Sequence, residues 1–291
     1  MTVIDESVRQ LPAPSLRPFV EWYAGFRQAG VAPARHRGLP SPSLTFILTL
    51  DDPLVVAAHS DPRQPPGEYS TLLGGLHTAP ALITHEGRQS GIQLALTPLG
   101  ARVLLGVPAG QFAGLDVDAS AVLGRFAGEL RERVGEQETW TGRFGVLNTI
   151  LGERAGAAEC AACVRPEIGY AWRRLRAVSG AVRVSAIAAE TGWSERHLNA
   201  RFRAETGLSP KEAARVFRFT AARGRIADAV VRSGGGITGA GLSLADLAAE
   251  CGYYDQAHLA RDFRALAGCP PTQWVAEEFR NIQASVADLR E

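Results

Sequence analysis

Six polar side chains near the C-terminal end of the chain are of types that hydrogen-bond to the edges of DNA bases. They are Arg196, Asn199, Arg201, Gln256, His258 and Arg261. The guanidinium group of Arg fits the acceptors on the major-groove edge of guanine, and the amides of Asn and Gln fit adenine. A single exposed Arg on a helix is more often only solvated, so these residues become informative through the pattern that repeats around them.

The sequence around these side chains occurs twice. Ile187-Ala-Ala-Glu-Thr-Gly-Trp193 matches Leu247-Ala-Ala-Glu-Cys-Gly-Tyr253 at an offset of 60 residues. The following stretch, 197–210, matches 258–271 at an offset of 61, with His-Leu, Phe-Arg-Ala, Gly and Pro in register. One extra residue therefore stands in the second turn, and two equivalent structural units are expected.

Each unit is predicted to fold as a helix-turn-helix. Gly192 and Gly252 suit the left-handed end of a first helix. Ser194 and Asp255 suit the N-cap of a second helix. Apolar residues at helical spacing give each helix one buried stripe: Val184, Ile187, Ala188, Leu198 and Phe202 in the first unit, and Leu244, Leu247, Ala248, Leu259 and Phe263 in the second. In this motif the second helix enters the major groove, so its outer polar residues are interpreted as base readers.

Two histidines follow the predicted caps and are interpreted differently. His197 is expected to pack against its neighbours, whereas His258 is expected to face DNA. The aromatic residues Trp193, Tyr253 and Trp274 are assigned to the core.

The segment between the two units is predicted to be one long amphipathic helix over 210–232. About 20 helical residues span roughly 30 Å, and adjacent major-groove faces recur about every 34 Å. The helix would thus set the two units one DNA turn apart. The glycine-rich stretch 233–241 is interpreted as a flexible joint.

The first part of the chain reads as short strands followed by helices, typical of a small barrel or sandwich. The predicted strands are 43–50, 54–58 (its hairpin partner), 69–73, 81–84 and 91–97, and the predicted helices are 99–105, 119–134 and 139–151. We expect an α+β chain with a sensor-like domain over 1–135, a connecting region over 136–165 and an all-α domain over 166–285. The last boundary is placed at Arg165-Pro166, because a residue before proline disfavours helix.

Charge and composition agree with this division. Residues 1–165 carry 14 basic and 16 acidic residues, a net charge of −2, whereas 166–291 carry 17 and 14, a net charge of +3. A basic C-terminal half is what phosphate binding requires. The chain has no apolar run of about 18 residues and its N-terminus lacks the pattern of a secretion signal, so a cytoplasmic location without membrane contact is expected.

Catalysis and metal binding find little support in the sequence. A phosphate-binding loop, G-x-S-x-G and H-E-x-x-H are all absent, so no enzyme and no cofactor are expected. Cys160 and Cys163 form a lone C-x-x-C without a second ligand pair, while Cys251 and Cys269 read as core residues. His36, His59, His77 and His85 lack metal-site spacing. A small-molecule-binding stress protein, with a helical half that contacts proteins, remains the alternative function.

The last 120 or so residues resemble the DNA-binding domain of AraC/XylS-type transcription regulators. The resemblance is carried by Asp255-Gln256, Phe263-Arg264, Gly268, Pro271 and Trp274. It implies base contacts from Arg196 and Asn199 and from Gln256 and Arg261. One position departs from the family pattern: Ala200 stands where the first unit usually has an arginine, and Arg201 follows it.

The N-terminal part is more faintly similar to the barrel-plus-helices sensor domains of one branch of that family. The similarity lies in 16–23, 39–43 and 100–110. This similarity implies ligand sensing or dimerisation by the N-terminal part. Taken with the resemblance of the last 120 residues, it implies double-stranded DNA at a promoter or operator as the partner of the chain, with a small-molecule effector, a homodimer and RNA polymerase as further candidates.

Overall fold

Strands dominate the first 118 residues and helices the remainder, in a computed structural model that describes residues 3–158, 164–233 and 241–278. The strands are β1 (Ile4–Gln10), β2 (Val20–Ala29), β3 (Ala34–Gly38), β4 (Leu44–Thr49), β5 (Leu54–Ala58), β6 (Gly67–Tyr69), β7 (Thr71–Gly74), β8 (Ala81–His85), β9 (Arg88–Leu96) and β10 (Asp116–Asp118). The α-helices are α1 (Pro98–Leu105), α2 (Ser120–Leu123), α3 (Arg125–Gly135), α4 (Trp140–Ala157), α5 (Pro166–Ala177), α6 (Val184–Thr191), α7 (Glu195–Thr206), α8 (Pro210–Ser233), α9 (Leu244–Glu250) and α10 (Gln256–Ala267), and residues 271–278 are also helical. The α+β organisation is confirmed.

The strands form two antiparallel sheets. One has the order β1-β2-β9-β4-β7-β10 and the other β3-β8-β5-β6. Ile47 and Leu72 from the first sheet share an apolar cluster with Leu54 and Val56 from the second. The two sheets therefore pack face to face, as the predicted barrel or sandwich requires.

The predicted pairing of 43–50 with 54–58 is wrong. β4 hydrogen-bonds to β7 on one side and to β9 on the other, so neither of its edges is free for β5. The exposed turn 51–53 carries the chain into the second sheet, where β5 pairs with β6 and β8. An Asp-Asp-Pro turn reverses the chain locally but does not specify the partner of the next strand.

β1, β2 and β3 lie outside the strands predicted from the sequence. β1 pairs with β2 along its whole length, and β2 joins β9. The sequences of β1 (IDESVRQ) and β3 (ARHRG) are rich in charge and contain no apolar run. Backbone pairing at the sheet edges, rather than side-chain hydrophobicity, makes these segments strands.

The helices after the sheets pack onto the strand core. The predicted helix over 119–134 is broken at Gly124, whose φ of 58° and ψ of −138° separate α2 from α3. Thr139 caps α4 by accepting a hydrogen bond from the Gly142 N–H. Phe144 of α4 stacks on Tyr23 of β2 at 5.8 Å. Much of the predicted connecting region is thus a helix against the first sheet, while the domain boundaries themselves stay a prediction.

The C-terminal helices share an aromatic core. Trp172 of α5 contacts Phe202 of α7 and Phe217 of α8, with ring centroids 5.9 and 5.1 Å apart. Phe219 of α8 contacts Phe263 of α10 at 5.0 Å. The predicted long helix over 210–232 is confirmed as α8, and it packs against α5 and α10 through side chains only two positions apart.

Several further predictions concern residues near these helices. Cys251 and Cys269 are buried, as predicted. Cys160, Cys163 and most of the predicted glycine joint lie outside the described residues. Among the helices of the described ranges, none is long and apolar enough to cross a membrane.

Candidate nucleic-acid interface

The first helix-turn-helix unit consists of α6 and α7. Gly192 ends α6 with a φ of 71°, and the Trp193 N–H donates to the Ala188 carbonyl at 2.9 Å. The Ser194 hydroxyl then caps α7 by accepting from the His197 N–H at 3.2 Å. The predicted turn glycine and cap are both confirmed, and together they fix the direction in which α7 leaves the turn.

The second unit, α9 and α10, repeats this geometry. Gly252 has a φ of 74°, and the Tyr253 N–H donates to the Ala248 carbonyl, again at 2.9 Å. The Asp255 carboxylate caps α10 by accepting from the His258 N–H at 2.6 Å. The two turns match in backbone hydrogen bonding, although the second one contains an additional residue, Tyr254.

The two second helices bury the same positions and expose the same positions. Leu198 and Phe202 in α7, and Leu259 and Phe263 in α10, are at most 1% exposed. At 3.6 residues per turn, the centre of the opposite face holds Arg196 and Ala200 in α7, and Ala257 and Arg261 in α10. All four of these outer residues are exposed. Each helix thus presents one central arginine, in its first turn in α7 and in its second turn in α10.

The remaining predicted readers flank these centres. Asn199 and Arg201 are exposed on opposite sides of the outer face of α7, and Gln256 is exposed in the first turn of α10. His258 is only half-exposed. Its Nδ1 accepts a hydrogen bond from the Tyr254 N–H at 3.3 Å. Its ring meets Tyr253 edge-on at 5.2 Å.

His197 also packs, as predicted, although its side chain stays exposed. Its ring lies edge-on against Trp193 with centroids 4.5 Å apart. The two histidines therefore occupy equivalent places, each against the aromatic residue that follows the turn glycine.

Comparison with known families agrees with the geometry of the two units. A helix-turn-helix domain model matches residues 187–277, which begin in α6 and end beyond α10. The C-terminal domain is an AraC-type helix-turn-helix domain. The chain that carries it is a DNA-binding transcription regulator, and the resemblance drawn from its sequence is confirmed. A second model, described as a domain of unknown function (DUF6597), matches residues 8–118 in the two-sheet region.

Solved structures of ToxT from Vibrio cholerae are similar to the whole chain at low identity. ToxT from strain O395 is 9% identical, with a TM-score of 0.45, over 94% of this chain and 97% of that one. An apo form of ToxT from strain SCE256, carrying one substitution, is 8% identical, with a TM-score of 0.49, over 92% and 99%. At such identities and scores these structures establish neither a fold nor a ligand for this chain. No match is found among curated proteins.

An ion pair that sequence reasoning missed fixes α10 of the AraC-type domain on α8. Arg215 donates from Nε and Nη2 to the same oxygen of Asp262, Oδ1, at 3.1 and 2.9 Å. The other oxygen, Oδ2, is buried without a hydrogen-bond partner among the described residues and lies 3.9 Å from Nε2 of His258. Asp262 precedes Phe263 and follows Arg261, so this pair sets the rotation of α10 and hence the direction of Arg261.

A second missed feature joins the AraC-type domain to the N-terminal part. The Arg102 guanidinium of α1 donates from Nε to Oε1 of Glu205 at 2.6 Å and from Nη2 to Oε2 at 2.9 Å. The carboxylate raises the pKa of Arg102. Glu205 belongs to the last turn of α7. The sequence offered no signal for this pair, since the residues are 103 positions apart.

Close backbone contact accompanies this ion pair. Gly110, in the short 3-10 helix Ala109–Phe112, faces the Ala204 carbonyl of α7 so closely that a Cβ atom at Gly110 would lie 2.2 Å from its oxygen. A glycine is therefore required where the N-terminal part meets α7. The C-terminal end of α7 is docked, while its N-terminal end, with Arg196 and Asn199, stays exposed.

The N-terminal part also contacts the helix that follows the second unit. In β3, the Arg37 N–H donates to Oε1 of Glu278 at 2.9 Å, and its guanidinium pairs with Glu277. Arg176 of α5 pairs with Glu21 of β2 at 2.9 Å. Contacts from α1 thus reach the first helix-turn-helix unit, and contacts from β3 reach the helix over 271–278.

The four N-terminal histidines lie apart from the DNA-reading residues and have protein partners or buried surroundings. His59 Nδ1 is 2.7 Å from an Asp116 carboxylate oxygen, and His77 Nδ1 donates to the Ala79 carbonyl at 2.6 Å. Burial lowers the pKa of His36 to about 4 and also lowers the pKa of His77. Across the described ranges, no cluster of three or more His, Cys, Asp or Glu side chains is arranged to hold a metal ion.

A cavity of about 180 Å³ opens between the sheets. Its lining includes Phe26, Leu54, Thr84, His85 and Arg88. This volume is below the roughly 300–1,000 Å³ of most small-molecule sites.

Proposed function

We propose that the chain regulates transcription by reading two adjacent major-groove segments of one promoter or operator, with α7 and α10 as the recognition helices. The observation that supports this is the matched pair of N-capped helices. Each buries two apolar residues four apart and presents one central arginine outward. Recognition helices of this motif place N-terminal side chains against base edges.

One continuous helix between the two units supports simultaneous reading. Both recognition helices contact α8, α7 through the Arg203–Glu212 ion pair and α10 through the Arg215–Asp262 ion pair. Because both are packed on one rigid helix, their spacing is fixed, as binding to two major-groove segments about 34 Å apart requires.

The proposed roles follow from exposure and chemistry. Arg196 and Arg261 would reach guanine edges, and Asn199 and Gln256 adenine edges. Arg201 would contact a phosphate on the flank of α7. His258 would contribute least of the six, because its Nδ1 accepts from the Tyr254 N–H and its Nε2 lies 3.9 Å from the Asp262 carboxylate.

Site selection from random DNA with the purified full-length chain tests the proposal, followed by footprinting of the selected site. We expect two protected boxes about one helical turn apart. In the double variants Arg196→Ala/Asn199→Ala and Gln256→Ala/Arg261→Ala, preference should relax in one box each. Each lost base contact should cost about 1–3 kcal/mol at the selected site and little on unrelated DNA.

The matched control is Arg133→Ala, because Arg133 is an exposed arginine of α3 outside the AraC-type domain. It should leave both boxes intact. The two-segment reading is refuted if each double variant weakens selected and unrelated DNA by the same factor. A single protected box would restrict base reading to one unit.

The proposal extends to regulation through the N-terminal part. In this proposal a small-molecule effector binds the N-terminal part, the chain forms a homodimer, and DNA-bound protein contacts RNA polymerase. All of this takes place in the cytoplasm, where the DNA is. The contact of α1 with the end of α7 supports coupling, because Arg102 and Glu205 join the two parts directly. The function we propose for this chain is transcriptional regulation, with no catalytic step.

A further inference from the structure

Tyr254 is the most exposed large apolar or aromatic residue in the described part of the chain. The residue is 93% exposed, whereas the neighbouring Tyr253 is 4% exposed and packs against His258. Tyr253 fills the place that Trp193 has in the first unit. Tyr254 is therefore not required to complete the core of the second unit.

The repeat explains where Tyr254 comes from. Gly192 and Trp193 match Gly252 and Tyr253 at an offset of 60, but the caps Ser194 and Asp255 match at 61. Tyr254 is thus the one residue added between the turn and the second recognition helix.

The backbone of this added residue is held firmly while its ring is free. The Tyr254 N–H donates to Nδ1 of His258, and the next residue, Asp255, caps α10. The ring therefore projects from a fixed point immediately before the first turn of α10. In a recognition helix this end enters the groove, and the chain just before it passes the sugar-phosphate backbone.

We propose that Tyr254 contacts DNA beside the second box: its ring packs on a deoxyribose and its hydroxyl donates a hydrogen bond to a phosphate oxygen. This rests on the proposed function, because it takes α10 as a recognition helix. Tyrosine hydroxyls are among the donors that proteins use for phosphates, and such contacts fix register without reading sequence. Gln256 and Arg261, farther along α10, are left to read bases.

A neutral donor has a distinctive thermodynamic signature. Arginine or lysine on a phosphate releases condensed counterions and steepens the salt dependence of affinity. The phenol of Tyr254 carries no charge, so its contact would add affinity without changing that dependence. It would also add equally to selected and unrelated DNA, since every nucleotide has the same phosphate.

The test measures the affinity of the full-length Tyr254→Phe and Tyr254→Ala variants on the selected site and on unrelated DNA, at several salt concentrations. Loss of a hydrogen bond to a charged acceptor should weaken Tyr254→Phe about tenfold on both DNAs. Tyr254→Ala should weaken binding further, by roughly 30-fold or more, because ring packing is also lost. The slope of log affinity against log salt should equal that of the wild type, and ethylation interference should disappear at one phosphate next to the second box.

Tyr170→Phe is the control, because the hydroxyl of Tyr170 already donates to Glu190 within the protein. It should bind like the wild type, and thermal melting should confirm that every variant folds. If the selected DNA shows both protected boxes and Tyr254→Phe binds it as tightly as the wild type, the Tyr254 contact is overturned but the proposed function is not. A changed base preference would make Tyr254 a base reader and also overturn the backbone contact. Failure of the wild type to select any DNA overturns the proposed function and this inference with it.

Discussion

Removal of the Arg102 side chain is expected to loosen the first recognition helix from the N-terminal part. Arg102 and Glu205 form two hydrogen bonds, and their side chains are 28% and 10% exposed. Breaking a fully buried pair costs about 3–5 kcal/mol, and an exposed pair contributes about 0–1 kcal/mol. This partly buried pair lies between these limits. For Arg102→Ala we expect a loss of about 2 kcal/mol, which is roughly a 30-fold increase in local opening.

Amide hydrogen exchange measures this opening where it occurs. Peptides that cover 203–207 and 109–113 report the two sides of the contact, and exchange there should accelerate by about that factor in Arg102→Ala. Glu205→Gln keeps hydrogen-bond acceptance but loses the charge, so its effect should be smaller. Peptides in the second unit should exchange at the wild-type rate.

Arg176→Ala serves as the comparison. It removes another ion pair between the two parts, with Glu21, but the Arg176 side chain is 54% exposed. Because exposed pairs contribute little, exchange near Arg176 should change less than about threefold. Unchanged exchange over 203–207 in Arg102→Ala would refute the reasoning, since the end of α7 would then be held without its ion pair.

Two further predictions concern the cap of α10 and the half-buried His36. Asp255→Ala should lower the free energy of unfolding by about 1 kcal/mol, or Tm by about 2–4 °C. In the same melting assay Asp255→Ser, which keeps a capping oxygen, should lose much less. Equal melting temperatures of the two variants would contradict the capping role. Burial lowers the pKa of His36 from 6.5 to about 4, with a smaller contribution from His85. The folded state therefore favours the neutral form of His36. Its contribution to the stability of the fold is complete above pH 6.5 and is lost as pH falls towards 4. Thermal melting of His36→Gln should therefore depend less on pH between 7 and 4.5 than melting of the wild type, and parallel curves would remove His36 as a cause.

The helix-turn-helix units were predictable because their signals are local. The apolar spacing, the turn glycines and the caps Ser194 and Asp255 all fall within about a dozen residues of one another, and each acts on the backbone next to it. The repeat then supplied a second, independent occurrence of each signal. The outward side chains of α7 and α10 follow from the buried ones by helical geometry alone.

The sheets and the contacts between the two parts of the chain were not predictable in this way. β1 and β3 are strands because they pair at sheet edges, and their charged sequences give no sign of this. β5 cannot pair with β4, because β7 and β9 already occupy both edges of β4. Arg102 and Glu205 look like ordinary surface charges in the sequence. Only the fold brings them within hydrogen-bond distance.

The arrangement of α7 links the two parts of the molecule through one rigid element. Its first turn presents Arg196 outward, and its last turn holds Glu205 against Arg102 of α1. Because a helix moves as a body, a shift of α1 that carried Glu205 with it would also move Arg196. The second recognition helix is held differently, by the Asp262 ion pair with Arg215 on α8. A change in the N-terminal part would therefore reach the first unit directly and alter its spacing from the second, which is the quantity that binding to two boxes on DNA depends on.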